Sequence, residues 1–183
     1  MAHTDDDVTR WALAARAGDR DALERFVRAT QRDVWRFVAH LADVRVADDL
    51  AQETYARALT SLPRFAGRSS ARTWLLVIAR RVVVDQIRLA RSRPRLSRAE
   101  DWVGAADRRR VDSGFEGAVE LTMLLDALDP DRREALVLTQ VLGLSYAEAA
   151  EVVACPVGTI RSRVARARED LVRATGRGAS EVG

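Results

Sequence analysis

From Asp19 to Leu41 the apolar residues Leu23, Phe26, Val27, Val34, Phe37, Val38 and Leu41 gather on one side of a helix of about 3.6 residues per turn. The same period governs the segments that follow, and no internal repeat is visible. An all-α fold is therefore expected. A second helix is predicted from about Val46 to Leu62, with Leu50, Tyr55, Ala58, Leu59 and Leu62 inward. Asp48, Asp49, Gln52 and Glu53 make its first turns acidic, which suits the positive end of a helix dipole, so stability alone explains part of the cluster. Pro63 stops it. After a Gly/Ser loop at Gly67 to Ser70, a long helix is predicted from about Ala71. Wound at about 100° per residue, it carries Leu75, Ile78, Val82 and Leu89 on one side and Arg81, Arg88 and Arg91 nearly opposite. Val77 and Val84 fall on the arginine side, so either a neighbouring helix or a ligand covers them.

Pro94 ends this helix, and residues 94–114 lose clear periodicity while collecting Arg, Asp, Gly and Ser. They read as a flexible linker, with a short helical piece at about Ala99 to Ala106. From Phe115 the period resumes with Leu121, Leu124, Leu125 and Leu128. Pro130 then opens another helix carrying Leu136, Leu138, Val141 and Leu142, and Gly143 closes it. The expected organisation is two small helical domains. Residues 1–7 form a disordered tail, 8–93 the first domain, 94–114 the linker, 115–174 the second domain and 175–183 a tail.

The formal net charge of +3 hides a strong segregation. Residues 64–98 carry ten arginines against the single acid Asp85, and residues 156–177 carry six against Glu169 and Asp170. The rest of the chain is net acidic. Two positive surfaces on an acidic body fit a polyanion, although two solvated helix faces would show the same charges. All 30 basic residues are arginine and asparagine is absent, a bias expected of a GC-rich genome, so Arg over Lys at any one site says little.

The segment GLSYAEAAEVVACPVGTIRSRVARAREDL has the form of a helix-turn-helix. Ser145 and Glu148 are spaced as a capping box, and Ala147, Ala149 and Ala150 let another helix cross closely. Cys155 and Pro156 make the turn. The second helix turns Ile160, Val164, Ala167 and Leu171 inward, Ser162, Arg166 and Glu169 outward, and Arg161 and Arg163 to the flanks. Arginine and serine near the start of an exposed helix can bond guanine edges and phosphates in a major groove. The same geometry also occurs in proteins that never touch DNA.

Catalytic readings find no support. His3 falls in the expected tail and His40 on a helix, where a surface role is the default, and no metal-ligand, triad or phosphate-loop spacing accompanies them. Cys155 stands alone, as in a reducing cytosol, and reads as a small packed residue. Trp35 and Trp74 read as core anchors. No stretch approaches the about 18 uninterrupted apolar residues of a membrane span. A cytoplasmic DNA-binding protein without catalytic site, metal or cofactor is expected.

The motifs DDLAQETYARAL, RFAGRSSARTWLLVIAR and LSYAEAAEVVACPVGTIRSRVARAR together resemble those of the group-4, or extracytoplasmic-function, sigma factors of bacterial RNA polymerase, of the actinobacterial sigma-C kind. The resemblance covers both domains in order. It implies a sigma-2 domain over 8–93, binding core polymerase and the −10 promoter element, and a sigma-4 domain over 115–174, binding the −35 element and the polymerase β flap. It places docking on the β′ coiled coil at Asp48, Asp49, Gln52 and Glu53. Contacts to the −10 element fall on Phe65, Gly67, Arg68, Ser69, Ser70, Arg72, Arg80, Arg81, Arg88 and Arg91. Those to the −35 element fall on Pro156, Thr159, Arg161, Ser162, Arg163 and Arg166. An anti-sigma factor is a further partner that the family suggests. Where many relatives read I-A-R-N or I-A-V-N, this chain has Ile78, Ala79, Arg80 and Arg81, which points to phosphate contact in place of an extruded base. The alternative is a free-standing helix-turn-helix regulator, for which no separate sensor segment is evident.

Overall fold

The computed structural model describes residues 4–92 and 124–178, with side chains at 4–90 and 124–175. The linker expected at 94–114, its helical piece and the stretch from Phe115 to Leu121 lie outside these residues. Among the described residues there are helices and no strand: α1 (Asp5–Arg16), α2 (Arg20–Leu41), α3 (Ala47–Ser61), α4 (Ala71–Ser92), α5 (Pro130–Leu136), α6 (Tyr146–Val153) and α7 (Val157–Gly178).

Helix extends into both stretches expected to be tails. The N-terminal stretch read as disordered over 1–7 begins α1 at Asp5, because a capping box forms there. The Thr4 side chain accepts from the Asp7 N–H at 3.2 Å, and the Asp7 carboxylate accepts from the Thr4 N–H at 3.2 Å. Val8 and Ala12 then bury one face of α1. At the other end α7 runs on to Gly178, into the stretch assigned to a tail from 175.

The remaining boundaries follow from their caps. Asp19 accepts from the Ala22 N–H at 2.9 Å and starts α2, which buries Phe26, Val34, Phe37 and Val38. Pro63 sits in a 3₁₀ turn, Leu62–Arg64, that ends α3. In α4 the predicted face holds for Leu75, Ile78 and Val82, but Leu89 is 50% exposed. Residues 88–90 are all exposed, so the end of α4 runs past the bundle that would cover Leu89. A second buried strip, Leu76, Ala79 and Val83, lies about 100° around the helix from the first. It is on the side of Arg72 and Arg80, both bonded to groups of the second unit. Val77 and Val84 are half-buried.

In the second unit Asp129 caps α5, accepting from the N–H groups of Asp131 at 3.0 Å and Arg132 at 3.3 Å, with Pro130 in the first turn. The helix continues as a π turn, Val137–Val141, in which the Leu142 N–H donates five residues back to the Val137 carbonyl at 2.9 Å. Gly143, at φ +72°, makes the reversal that β-carbon-bearing residues resist. The Ser145–Glu148 capping box opens α6 as expected. Ala154 adopts φ +57°, a left-handed conformation that costs an alanine roughly 1 kcal/mol, and turns the chain into α7.

The two units share one apolar core. Helices α2 and α4 of the first meet α5, the π turn and α6 of the second. His40 lies at this contact, where its backbone carbonyl accepts from Arg133 Nη1 at 3.2 Å. Its half-buried place departs from the surface role expected by default. Burial holds the His40 imidazole below its ordinary 6.5, the Arg36 and Arg133 cations add to the effect, and Asp126 opposes it. The folded state thus favours neutral His40. Its contribution to stability is complete above pH 6.5 and is lost as pH falls through the depressed folded value. The urea midpoint should accordingly fall between about pH 7.5 and about pH 5.5, and His40→Gln should lose less over the same interval.

Candidate nucleic-acid interface

The predicted functional residues separate into three surfaces. On the first unit α2 and α3 flank an open groove of about 920 Å³, lined by Val27, Trp35, Ala51, Tyr55 and Leu59, with Asp48, Gln52 and Arg32 as polar groups. Trp35 Nε1 donates to Asp48 Oδ1 at 2.8 Å, so Asp48 orients the indole at the groove as well as sitting in the acidic first turn of α3. Tyr55 is fixed from below by a 2.8 Å hydrogen bond between its hydroxyl and that of Thr30, and burial pushes its pKa up to about 12. Asp49, Gln52 and Glu53 are exposed along α3. Glu53 accepts from Arg57 Nε at 2.7 Å, and Arg57 also pairs with Asp85 of α4 at 2.6 Å, tying α3 to α4. The groove is apolar with an acidic flank. Sequence reading found the flank and missed the groove, because Trp35 and Tyr55 come from different helices.

The ten residues assigned to the second surface do not form one face. Phe65 is buried, 4% exposed, with its ring 4.8 Å from that of Trp74 between centroids, so it is a core residue in this structure. Its carbonyl accepts from Arg16 Nη1 at 2.7 Å, which fixes the loop that follows. Gly67 at φ +67° lies under the Leu13 side chain, which an added Cβ would meet at 3.5 Å. Ser70 caps α4, its Oγ accepting from the Thr73 N–H at 3.1 Å, and Ser69 beside it is half-buried. Arg68, Arg81 and Arg88 are exposed, whereas the side chain of Arg91 lies outside the described residues. Arg72 and Arg80 face the second unit. Arg72 pairs with Asp33 at 2.7 Å and donates to the Leu142 carbonyl, and Arg80 pairs with Glu134 at 2.7 Å. Glu134, whose side chain is 8% exposed, was not singled out by sequence. Its partner is 54 residues away, a separation no local pattern reveals.

The third surface is α7. Ile160, Val164 and Ala167 are buried, and Arg161, Ser162, Arg166 and Glu169 are exposed, as the periodicity predicts. Pro156 is exposed and Thr159 half-buried at its first turn, where the Thr159 carbonyl accepts from Ser162 Oγ at 2.9 Å. Arg163 is half-buried and ion-paired with Asp131 of α5. Cys155 is half-buried at the turn. Among the described residues no group of His, Cys, Asp and Glu could hold a metal ion, and no helix is long and apolar enough to cross a membrane.

Two known protein families match the chain, one in each unit. Residues 26–93 match the family described as Sigma-70 region 2, and residues 118–171 match Sigma-70, region 4. Over 171 residues the chain is 59% identical to the ECF RNA polymerase sigma factor SigC of Mycobacterium tuberculosis, a match spanning 93% of this chain and 92% of that protein. It is equally similar to the probable RNA polymerase sigma-C factor of Mycobacterium bovis, with the same identity of 59% and the same coverage of 93% and 92%. Among solved structures, the fold is similar to that of the sigma factor RpoE of Bartonella quintana in complex with the anti-sigma factor NepR. That match has a TM-score of 0.67 and 28% identity, over 81% of this chain and 93% of that one. The likeness to CnrH in complex with the cytosolic domain of CnrY, at TM-score 0.73 and 24% identity over 93% and 98% of the two chains, concerns the fold alone.

The chain belongs to the extracytoplasmic-function sigma factors of bacterial RNA polymerase. Proteins of this family are initiation factors, not catalysts: they bind core polymerase and direct it to promoters through the −10 and −35 elements. The free-standing regulator is not favoured, because both sigma domains are present in order.

One consequence of the contact between units is measurable without DNA. Arg80→Ala leaves the Glu134 carboxylate nearly buried and unpaired, at an expected cost of about 1–3 kcal/mol. Arg80→Leu combined with Glu134→Leu should recover most of it, as read from urea unfolding of the two chains.

Proposed function

We propose that the chain docks on the β′ coiled coil of core polymerase through the α2–α3 groove and the acidic residues Asp48, Asp49, Gln52 and Glu53. The observation that carries this reading is an apolar groove backed by Trp35 and Tyr55 and flanked by carboxylates on one helix. A helical partner with an apolar stripe and basic flanks suits such a surface. The first domain is assigned to the −10 element, with Arg68, Arg81, Arg88 and Arg91 contacting phosphate and the Gly67–Ser70 loop near the melted strand. Arg72 and Arg80 join them only by exchanging Asp33, Leu142 and Glu134 for phosphate. The second domain is assigned to the β flap and, through Pro156, Thr159, Arg161, Ser162 and Arg166, to the −35 element.

The domain limits that go with this division are close to 8–93 and 115–174, with Asp5, Asp6 and Asp7 at the start of α1 added to the first. The cytoplasm, where core polymerase acts, is the proposed location. An anti-sigma factor is a further proposed partner, supported by the Bartonella quintana complex.

Run-off transcription with purified core polymerase, with and without the chain, tests the whole reading, and initiation independent of the chain would overturn it. Within it, Asp49→Arg with Glu53→Arg should weaken core binding by about tenfold or more in a pull-down while far-UV circular dichroism keeps its helical signal. Arg88→Ala should lower promoter binding across sequences and make the salt dependence shallower by about one unit or less.

A further inference from the structure

Helix α7 is fastened to α5 by two ion pairs of opposite sense. Asp131 of α5 pairs with Arg163 of α7, and the next residue, Arg132, pairs with Asp170 of α7. Arg163 and Asp170 are seven residues apart and so lie on one flank of the helix. The start of α5 is itself rigid, because Asp129 accepts from the N–H groups of both Asp131 and Arg132. On the opposite flank Arg168 Nη2 donates to Gln140 Oε1 in the π turn at 2.9 Å. The helix is thereby gripped along both flanks, and its outward face is left to Ser162, Arg166 and Glu169, with Arg161 at the edge. Among the described residues neither Arg161 nor Arg166 has an ion-pair partner, whereas the Arg163 side chain is only 23% exposed. Asp170 also accepts from Arg173, and these bonds hold its carboxyl below the usual carboxylate range.

We infer that Asp131 and Arg132 are positioning residues for promoter recognition, and that Arg163 sets the angle of the recognition helix through Asp131 instead of reading a base. The inference rests on the assignment of α7 to the −35 element and divides its arginines by role. Arg161 and Arg166 are placed to reach DNA, and Arg163 is placed to hold them there. With Nη2 held by a carboxylate on α5 and its side chain only 23% exposed, the Arg163 guanidinium is turned toward α5 and has fewer donors to offer a base edge.

The test uses the full chain assembled with core polymerase and a library of single-base −35 substitutions. Arg163→Asp should lower promoter binding at every −35 sequence, by roughly five- to tenfold for a pair coupled at about 1 kcal/mol. Adding Asp131→Arg restores the ion pair with its sense reversed and returns the chain to its original net charge, so the long-range attraction to DNA is kept close to the parent's. This swapped chain should recover most of the affinity and keep the parent's order of −35 preference, although no arginine remains at 163. Arg163→Lys, which keeps a cation for Asp131, should bind better than Arg163→Ala and also keep that order. A fork onto guanine would instead be altered by the change to lysine, which replaces the planar pair of donors with a single ammonium, and the preference at that one −35 position would shift. If the swap fails to rescue and Arg163→Lys flattens preference at one −35 position, Arg163 touches a base and the inference is wrong. If instead Arg161→Ala, Ser162→Ala and Arg166→Ala all leave the preference profile unchanged, the −35 assignment itself falls, a result separate from the rescue.

Discussion

Burial of α4 on two sides is the constraint on which the rest of this molecule depends. Leu75 and Val82 face the core of the first unit, while Leu76 and Val83 lie on the side bonded to the second, and all four are at most 2% exposed. Each such side chain contributes about 1.5–3 kcal/mol of transfer free energy, so neither side could be given up lightly. A helix used this way has little surface left for charge. Its arginines are forced to the edges of the two buried strips, some within reach of the second unit and others beyond it. The division of the −10 set into paired and exposed residues is thus a consequence of packing. Arg72 and Arg80 border the strip that the second unit covers, and Arg81 and Arg88 do not.

Much of this was legible in the sequence, for identifiable reasons. The boundaries of α2, α3 and α4 followed from Asp19, Pro63 and the 3.6-residue period, and the Ser145–Glu148 box announced α6. Such signals are local, and local signals survive any tertiary arrangement. α1 was readable too, since Thr4 and Asp7 have capping-box spacing ahead of Val8 and Ala12, but an acidic leading segment resembles a solvated tail. Leu89 was misjudged because periodicity gives a face without saying how far a neighbouring helix extends. The pairs Arg80–Glu134, Arg72–Asp33 and Arg163–Asp131 could not have been read, because each depends on how helices distant in sequence come together. The candidate surfaces were accordingly legible only as sets of residues, and the structure sorts each set into those that face outward and those that are bonded within the fold.

The charge pattern gains a physical meaning from this sorting. A count along the chain treats every arginine as available to a polyanion. In the folded chain several of the described ones are already satisfied by a carboxylate, and those satisfied near α7 fix the pose of the ones left exposed. An arginine-rich segment therefore serves two purposes at once, and the fixed, permanently charged guanidinium suits both.

The π turn at Val137–Val141 couples two contacts that look unrelated. A π turn is a helix with one residue too many, and everything beyond it is rotated by about 100° from where a regular helix would place it. Here that offset directs Gln140 toward Arg168 and leaves the Leu142 carbonyl available to Arg72. Deleting a single residue from the turn would regularise the helix and misdirect both groups together. The seat of α7 and the junction between the two units therefore depend on the same residue register, whereas the outward face of α7 takes no part in either contact.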